Sequence, residues 1–256
     1  MNPLRPDGFR PAFQPTRARQ RAAVLGLALG LVAGSAAAAP DLPPVCSSDG
    51  QRPPTALLER FINADCGDCW SRDATARPGP GAVALDWIVP GTQGEDAPLS
   101  AAATRDATQR LQTLGLQVPE TLSSRVSAAA RPRQGHLRVA HGLALGGYVG
   151  ASIEWRAARP ARAPISAWLA LVETLPAGTE GSPVERNLVR NVLTPAWNGQ
   201  QTLSKKESQR LFESRPMNVP TGARPERLRV IGWVEDAQGR VLAIAQSRCA
   251  APGQRG

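Results

Sequence analysis

Four cysteines constrain this chain of 256 residues more than any other feature: Cys46, Cys66, Cys69 and Cys249. Two of them sit in the stretch "DCGDCW", separated by Gly67 and Asp68. Such a pair can be a redox dithiol, half of a metal site or part of a structural disulfide, and the compartment decides among these. The N-terminus speaks to compartment. Arg5, Arg10, Arg17, Arg19 and Arg21 lead into "AAVLGLALGLVAGSAAAAP", an apolar run that ends in small residues. A basic lead, a short apolar run and an Ala-x-Ala site form a secretory leader. The run is shorter than the roughly 20 residues a membrane span needs. The pattern predicts a signal peptide over residues 1–38, no stable membrane anchor, and export to the periplasm or beyond. Disulfides persist there.

All four cysteines follow the leader, and four allow three pairings. Cys66 and Cys69 are close enough in sequence to pair. Cys46 lies near the start of the exported chain and Cys249 near its end. Chain termini of compact domains often lie close together, so a structural Cys46–Cys249 disulfide is expected. Closing a loop of that length contributes about 4–5 kcal/mol in the chain-entropy model.

The net charge of the full chain is +9, and removing five arginines and one aspartate with the leader lowers it to +5. The remaining basic residues, such as Arg156 and Lys205, are scattered without interleaved aromatics. No nucleic-acid motif accompanies them, so no nucleic-acid partner is expected. Ser47-Ser48, Ser123-Ser124 and Ser204 lack the Gly-x-Ser-x-Gly setting of a hydrolase. Zinc wants four ligands. The two histidines, His136 and His141, stand far from the dithiol in sequence, so no metal site and no cofactor are expected. His141, Glu173 and Glu185 read as polar positions on strand surfaces, and Trp155, Trp168, Trp197 and Trp233 as core or half-buried residues.

Along the chain, residues 39–54 are rich in Pro and Ser and read as an extended lead-in. "TALLERFIN" feeds the dithiol, and a short helix follows before Pro78–Gly81. "AVALDWIV" reads as a buried strand. "SAAATRDATQRLQTLG" reads as a helix with Ser100 as cap, Gly115 as stop, and Ala107, Leu111 and Leu114 on one face. A segment with Pro119 comes next. From His136 onward short β-rich runs alternate with turn signals, which predicts an antiparallel sandwich. The expected organisation is therefore an α/β thioredoxin-like domain over residues 55–134 followed by an all-β sandwich over residues 135–250.

In the order strand, Cys-x-x-Cys, helix, the first sulfur lies where unpaired helix N–H groups favour its thiolate. Cys66 is then the attacking thiol and Cys69 the resolving one. Asp65 and Asp68 moderate this, because a nearby carboxylate opposes a second negative charge.

These residues resemble a bacterial family of secreted thioredoxin-like proteins, domain-of-unknown-function family 1223. The resemblance rests on Phe61 five residues before Cys66, on "ALDWIV" with Trp87, on Leu114-Gly115, on "WLALVE…NLVRNVL" and on "GRVLAIAQ". It covers most of residues 55–248. It implies a thioredoxin-like fold, with Val118-Pro119 standing where the family has Thr-Pro and Pro119 as a substrate-docking residue. Ile88 and Pro90 stand where the family usually has His and Asp. The expected activity is thiol–disulfide exchange through Cys66 and Cys69, with protein thiols or disulfides of the cell envelope as partners. The alternative is a non-catalytic periplasmic protein with a structural 66–69 disulfide and a partner-binding β domain.

Overall fold

The computed structural model of the chain describes residues 46–73, 75–130, 134–158, 164–197 and 210–249. The expected signal peptide over residues 1–38 and residues 39–45 of the lead-in lie outside the described residues. Eleven strands and two short helices, apart from single turns of 3-10 helix, are present among the described residues. In chain order they are β1 (Cys46–Ser47), β2 (Ala56–Asn63), α1 (Gly67–Ser71), β3 (Ala82–Val89), α2 (Arg105–Thr113), β4 (Leu122–Ala128), β5 (Gly135–Leu145) and β6 (Tyr148–Ala157). Then follow β7 (Ile165–Leu175), β8 (Arg186–Leu193), β9 (Arg210–Asn218), β10 (Leu228–Asp236) and β11 (Val241–Gln246).

The strands form two sheets. One has the order β1-β5-β6-β9 and the other β11-β10-β7-β8-β3-β2-β4. This overturns the α/β thioredoxin-like expectation. The local order of strand, dithiol, helix, strand, helix and strand is present. However, its three strands are one end of a seven-stranded sheet that continues into the second half of the chain. The chain is an all-β arrangement of two packed sheets. The division near residue 134 falls with it, because β3 pairs directly with β8 in parallel, Asp86 opposite Leu188.

The large sheet curls. Glu59 on β2 and Glu235 on β10 both bind the guanidinium of Arg110 on α2. Those strands are four steps apart in the sheet, or roughly 19 Å if it were flat. One guanidinium reaches both only if the sheet wraps around the helix. Its far edges nearly meet, since the Ala130 amide just beyond β4 donates to the Val241 carbonyl of β11 at 2.8 Å. The hollow is filled by Phe61, Trp87, Trp168 and Trp233 with Ala107 and Leu111 of α2. Trp168 and Trp233 stack at 5.8 Å, and Trp87 meets Trp233 edge-on. Each such aromatic buries about 150–250 Å², roughly 4–6 kcal/mol of transfer free energy.

The outer face of the large sheet is covered in two places. The small sheet packs on β7, β10 and β11 through Val139, Ile153 and Trp155 against Leu169, Val230 and Val234. A Cβ on Gly232 would strike Val139 at 2.6 Å, so this glycine of β10 permits the close approach of the sheets. At the other end, α1 and the segment after β3 cover β2, β3 and β8 through Cys69, Ala97, Ile62, Ile88 and Leu188.

Helix α2 is shorter than expected. Thr104, not Ser100, caps it, accepting from the Ala107 amide, and residues 100–102 form a separate 3-10 turn. A bulge interrupts the alternation in β11. Ala243 faces Val234 while Val241 faces Glu235, so Leu242 is an extra, bulged residue. A bulge reverses which face the next side chain takes. Val241 thereby joins Ile244 in the hollow.

Candidate functional site

Cys66 and Cys69 are joined by a disulfide at the end of β2. The two residues differ in exposure: Cys66 is half-buried, while Cys69 is 0% exposed. Cys66 is the residue that precedes α1 and makes no side-chain cap bond. The helix has five residues, so its N-terminus adds little beyond the free amides themselves. Pro98 packs on the dithiol loop, with its Cβ 3.2 Å from the place a Cβ of Gly67 would take.

Asp65 is committed elsewhere. Its carboxylate accepts from the Thr92 amide at 2.7 Å, the Thr92 hydroxyl at 2.9 Å and the Gln93 amide at 3.2 Å. Desolvation opposes its charge, but these three donors together outweigh it and hold the carboxyl below its ordinary range. Gly91 makes this possible, because a Cβ there would overlap the Asp65 carboxylate and the Asn63 amide.

Pro119 lies just before β4, half-buried. Its carbonyl accepts from Asn63 Nδ2 at 2.9 Å, and the Asn63 amide donates to the Thr121 carbonyl at 2.8 Å. Asn63 thus ties the Pro119 segment to the strand end that carries the dithiol.

Helix α1 is held from beneath by a buried polar network. Arg186 Nη2 donates to the Trp70 carbonyl at 2.8 Å, and its guanidinium lies 4.8 Å from the Trp70 ring centre. Arg186 also donates to Asp86 at 2.9 Å and to Ser182 Oγ at 2.8 Å. Arg60 reaches the other oxygen of Asp86 at 2.6 Å and the Ala76 carbonyl at 3.0 Å. The sequence reading did not single out Arg60, Asp86 or Arg186. Asp86 offered a signal, as a charge inside an otherwise apolar strand, but nothing local names its partner 100 residues on.

Cys46 and Cys249 are also bridged, with Cα atoms 4.0 Å apart. Beside them lies His141, which the sequence reading placed on a strand surface. It is buried, opposite Cys46 in the β1–β5 ladder. Burial, with Arg229 adding to it, outweighs the Gly142 hydrogen bond and lowers the pKa of its imidazole. Glu173 is a second correction. It is 2% exposed, held by Arg190 at 2.6 Å and the Arg224 amide at 3.1 Å. Trp155, Trp168 and Trp233 are buried.

The two disulfides fit an oxidising compartment. Among the described residues no helix is long and apolar enough to cross a membrane. No family model matches the chain, and no curated protein matches it. Among solved structures the chain is similar to HBP35 of Porphyromonas gingivalis at 10% identity, over 81% of this chain and 80% of that one, with a TM-score of 0.46. Likeness at that level carries no argument about function.

Proposed function

We propose that this chain is an exported envelope protein that exchanges disulfides with protein thiols through Cys66 and Cys69. The observation that carries this reading is the unequal exposure of the two residues, Cys66 half-buried and Cys69 fully buried. An exchange centre needs one sulfur that a partner can reach and one that only the first can reach. In the reduced protein, the Cys66 thiolate attacks a sulfur of the partner disulfide and expels the partner's other sulfur as a thiolate. The Cys69 thiolate then attacks Cys66, closes the internal disulfide and releases the partner as a dithiol. The partner gains two electrons and the protein loses two.

The anchoring of α1 supports the cycle. Arg186 holds the Trp70 carbonyl and ring, and the Trp70 indole donates to the Glu180 carbonyl at 2.8 Å. These bonds do not pass through the disulfide, so its reduction leaves them in place. The expected leader over residues 1–38 and the resemblance of residues 55–248 to the secreted family 1223 belong to the same reading and support export to the periplasm or beyond.

Limiting alkylation of the reduced protein tests it. Cys66 is expected to label first, and Cys69→Ser to trap mixed disulfides that Cys66→Ser does not. Equal, slow labelling of both sulfurs would make the pair a structural clasp.

A further inference from the structure

The site at Cys46, Cys249 and His141 is separate from the dithiol at the end of β2. Three adjacent backbone segments build it. Cys46 on β1 faces His141 on β5. On the other side of β1, Ser47 and Arg248 exchange backbone bonds at 3.0 and 2.8 Å, which seats Cys249. Both sulfurs and a ring nitrogen of His141 lie within 4.8 Å of one another. Tetrahedral zinc with Zn–S near 2.3 Å and Zn–N near 2.0 Å separates its ligand atoms by roughly 3.5–4 Å. Small side-chain rotations therefore suffice once the sulfurs are free of each other.

The histidine is already set as a ligand. Its Nδ1 lies 2.8 Å from the Gly142 carbonyl. A carbonyl only accepts, so Nδ1 carries the proton and Nε2 keeps its lone pair. A metal-binding histidine typically donates its other N–H to just such a group. Nε2 is buried and has no hydrogen-bond partner among the described residues, on a side chain that is 5% exposed. An unpartnered buried acceptor is costly unless something else uses it. Arg229 Nη1 stands 3.9 Å from the Cys249 sulfur, a placement that favours thiolate over thiol. A cavity of about 350 Å³, lined by His141, Leu143, Ala144, Val149, Leu228 and Arg229, opens beside the three residues.

We propose that the reduced form of the Cys46–Cys249 pair, with His141, is a three-ligand site for Zn²⁺ whose fourth position faces this cavity. A dithiol donor reduces the bridge. It gives two electrons and two protons to the two sulfurs and becomes a disulfide itself. Zinc then binds both thiolates and the imidazole and releases those two protons. A disulfide donor then takes two electrons from the two thiolates and is itself reduced to a dithiol, so the bridge re-forms, the metal leaves and the staple is restored. The same residues thus close the chain under oxidising conditions and hold zinc under reducing ones.

The test uses the full chain carrying Cys66→Ser and Cys69→Ser, so that only this pair titrates. After reduction by a phosphine and its removal, Zn²⁺ is titrated against a chromophoric chelator, and Co²⁺ is added to a second sample. One equivalent of zinc and thiolate-to-cobalt charge-transfer absorption are expected. His141→Gln should weaken zinc binding at least about 10-fold, since even outer-shell changes cost about that much. If reduction unfolds the chain, zinc should restore its circular dichroism and raise its melting temperature, and it should do so less for His141→Gln. Substoichiometric binding, binding indifferent to His141→Gln, or a reduced chain that zinc neither binds nor refolds would each overturn the proposal.

Discussion

Two successive residues of β2, Glu59 and Arg60, point to opposite faces of the large sheet, and each enters a buried ionic triad. Inside the curl, Arg110 is one cation between two anions, Glu59 and Glu235. On the outer face, Asp86 is one anion between two cations, Arg60 and Arg186. Each triad fastens one helix. The inner one holds α2 in the hollow, and the outer one holds α1 under the dithiol. They differ in how completely they are satisfied. Every oxygen of Glu59 and Glu235 meets Arg110, and Glu235 also accepts from the Trp168 and Trp233 indoles, both at 3.1 Å. The outer triad leaves Arg60 Nε without a partner among the described residues, and it spends donors on the Ala76, Glu185 and Trp70 carbonyls. The inner triad closes a core. The outer one reaches through the sheet to position loops and the short helix beneath Cys66. A buried charge that loses its partner is costly, whereas a complete set can be replaced with little loss.

The largest effect expected from this comparison is that of Arg110→Leu. It strands two buried carboxylates and should destabilise the fold by about 3–5 kcal/mol in chemical denaturation. Adding Glu59→Leu and Glu235→Leu should recover only part of this, because two indole N–H groups then lose their acceptor at about 1–3 kcal/mol each. Full recovery would show that the Trp168 and Trp233 bonds contribute nothing.

Arg186→Leu should cost less, about 1–3 kcal/mol, since Asp86 keeps Arg60 and the Asn187 amide at 3.0 Å. Its sharper consequence is local. With the Trp70 carbonyl released, the 66–69 disulfide should be reduced faster by a small dithiol, while Arg110→Leu at matched stability should not share the effect. Equal rates in the two variants would sever the outer triad from the dithiol.

Gly91→Ala should cost about 1–3 kcal/mol by overpacking against Asp65 and Asn63. It should also shift Cys66 reactivity, because Asp65 loses its seat on Thr92 and Gln93. Thermal unfolding combined with alkylation rates separates the two consequences.

The smallest effect concerns Asp106 on α2, where burial, offset in part by a bond from the Val192 amide, raises the carboxyl pKa. Below the ordinary aspartate value the residue is neutral in both states and contributes nothing. As pH rises past that value the unfolded chain ionises first, so stability falls until pH exceeds the raised native value. Relative to Asp106→Asn, the native protein should lose up to about 1 kcal/mol across that window, because partial exposure screens the group. A flat difference between the two proteins from pH 3 to 7 would remove the buried carboxyl from the account.

Local periodicity made much of the chain legible. "AVALDWIV" is β3, and the face of Ala107, Leu111 and Leu114 is the buried side of α2. Those signals depend on residues a few positions apart, whose side chains fall on one face through backbone geometry alone. The thioredoxin-like expectation failed at a longer range. A strand, a dithiol and a helix describe neighbours in sequence, whereas the identity of a sheet depends on which distant strand lies beside Asp86. Glu173 and His141 were read as surface for the same reason, since a polar residue in a strand looks alike whether water or a buried partner receives it.

By itself the sequence determined many of the strands, the buried face of α2, several of the turns, and the presence of four cysteines with two of them in a close pair. Only the tertiary structure decided that Glu59 and Arg60 serve two different triads, that α2 sits inside a curled sheet, and that His141 stands beside the Cys46–Cys249 bridge. The physical reason is that burial and charge pairing are properties of a place. Such a place exists only once segments about 50 to 200 residues apart have been brought together, at a loop-closure cost that rises slowly with separation and is offset by the surface they bury.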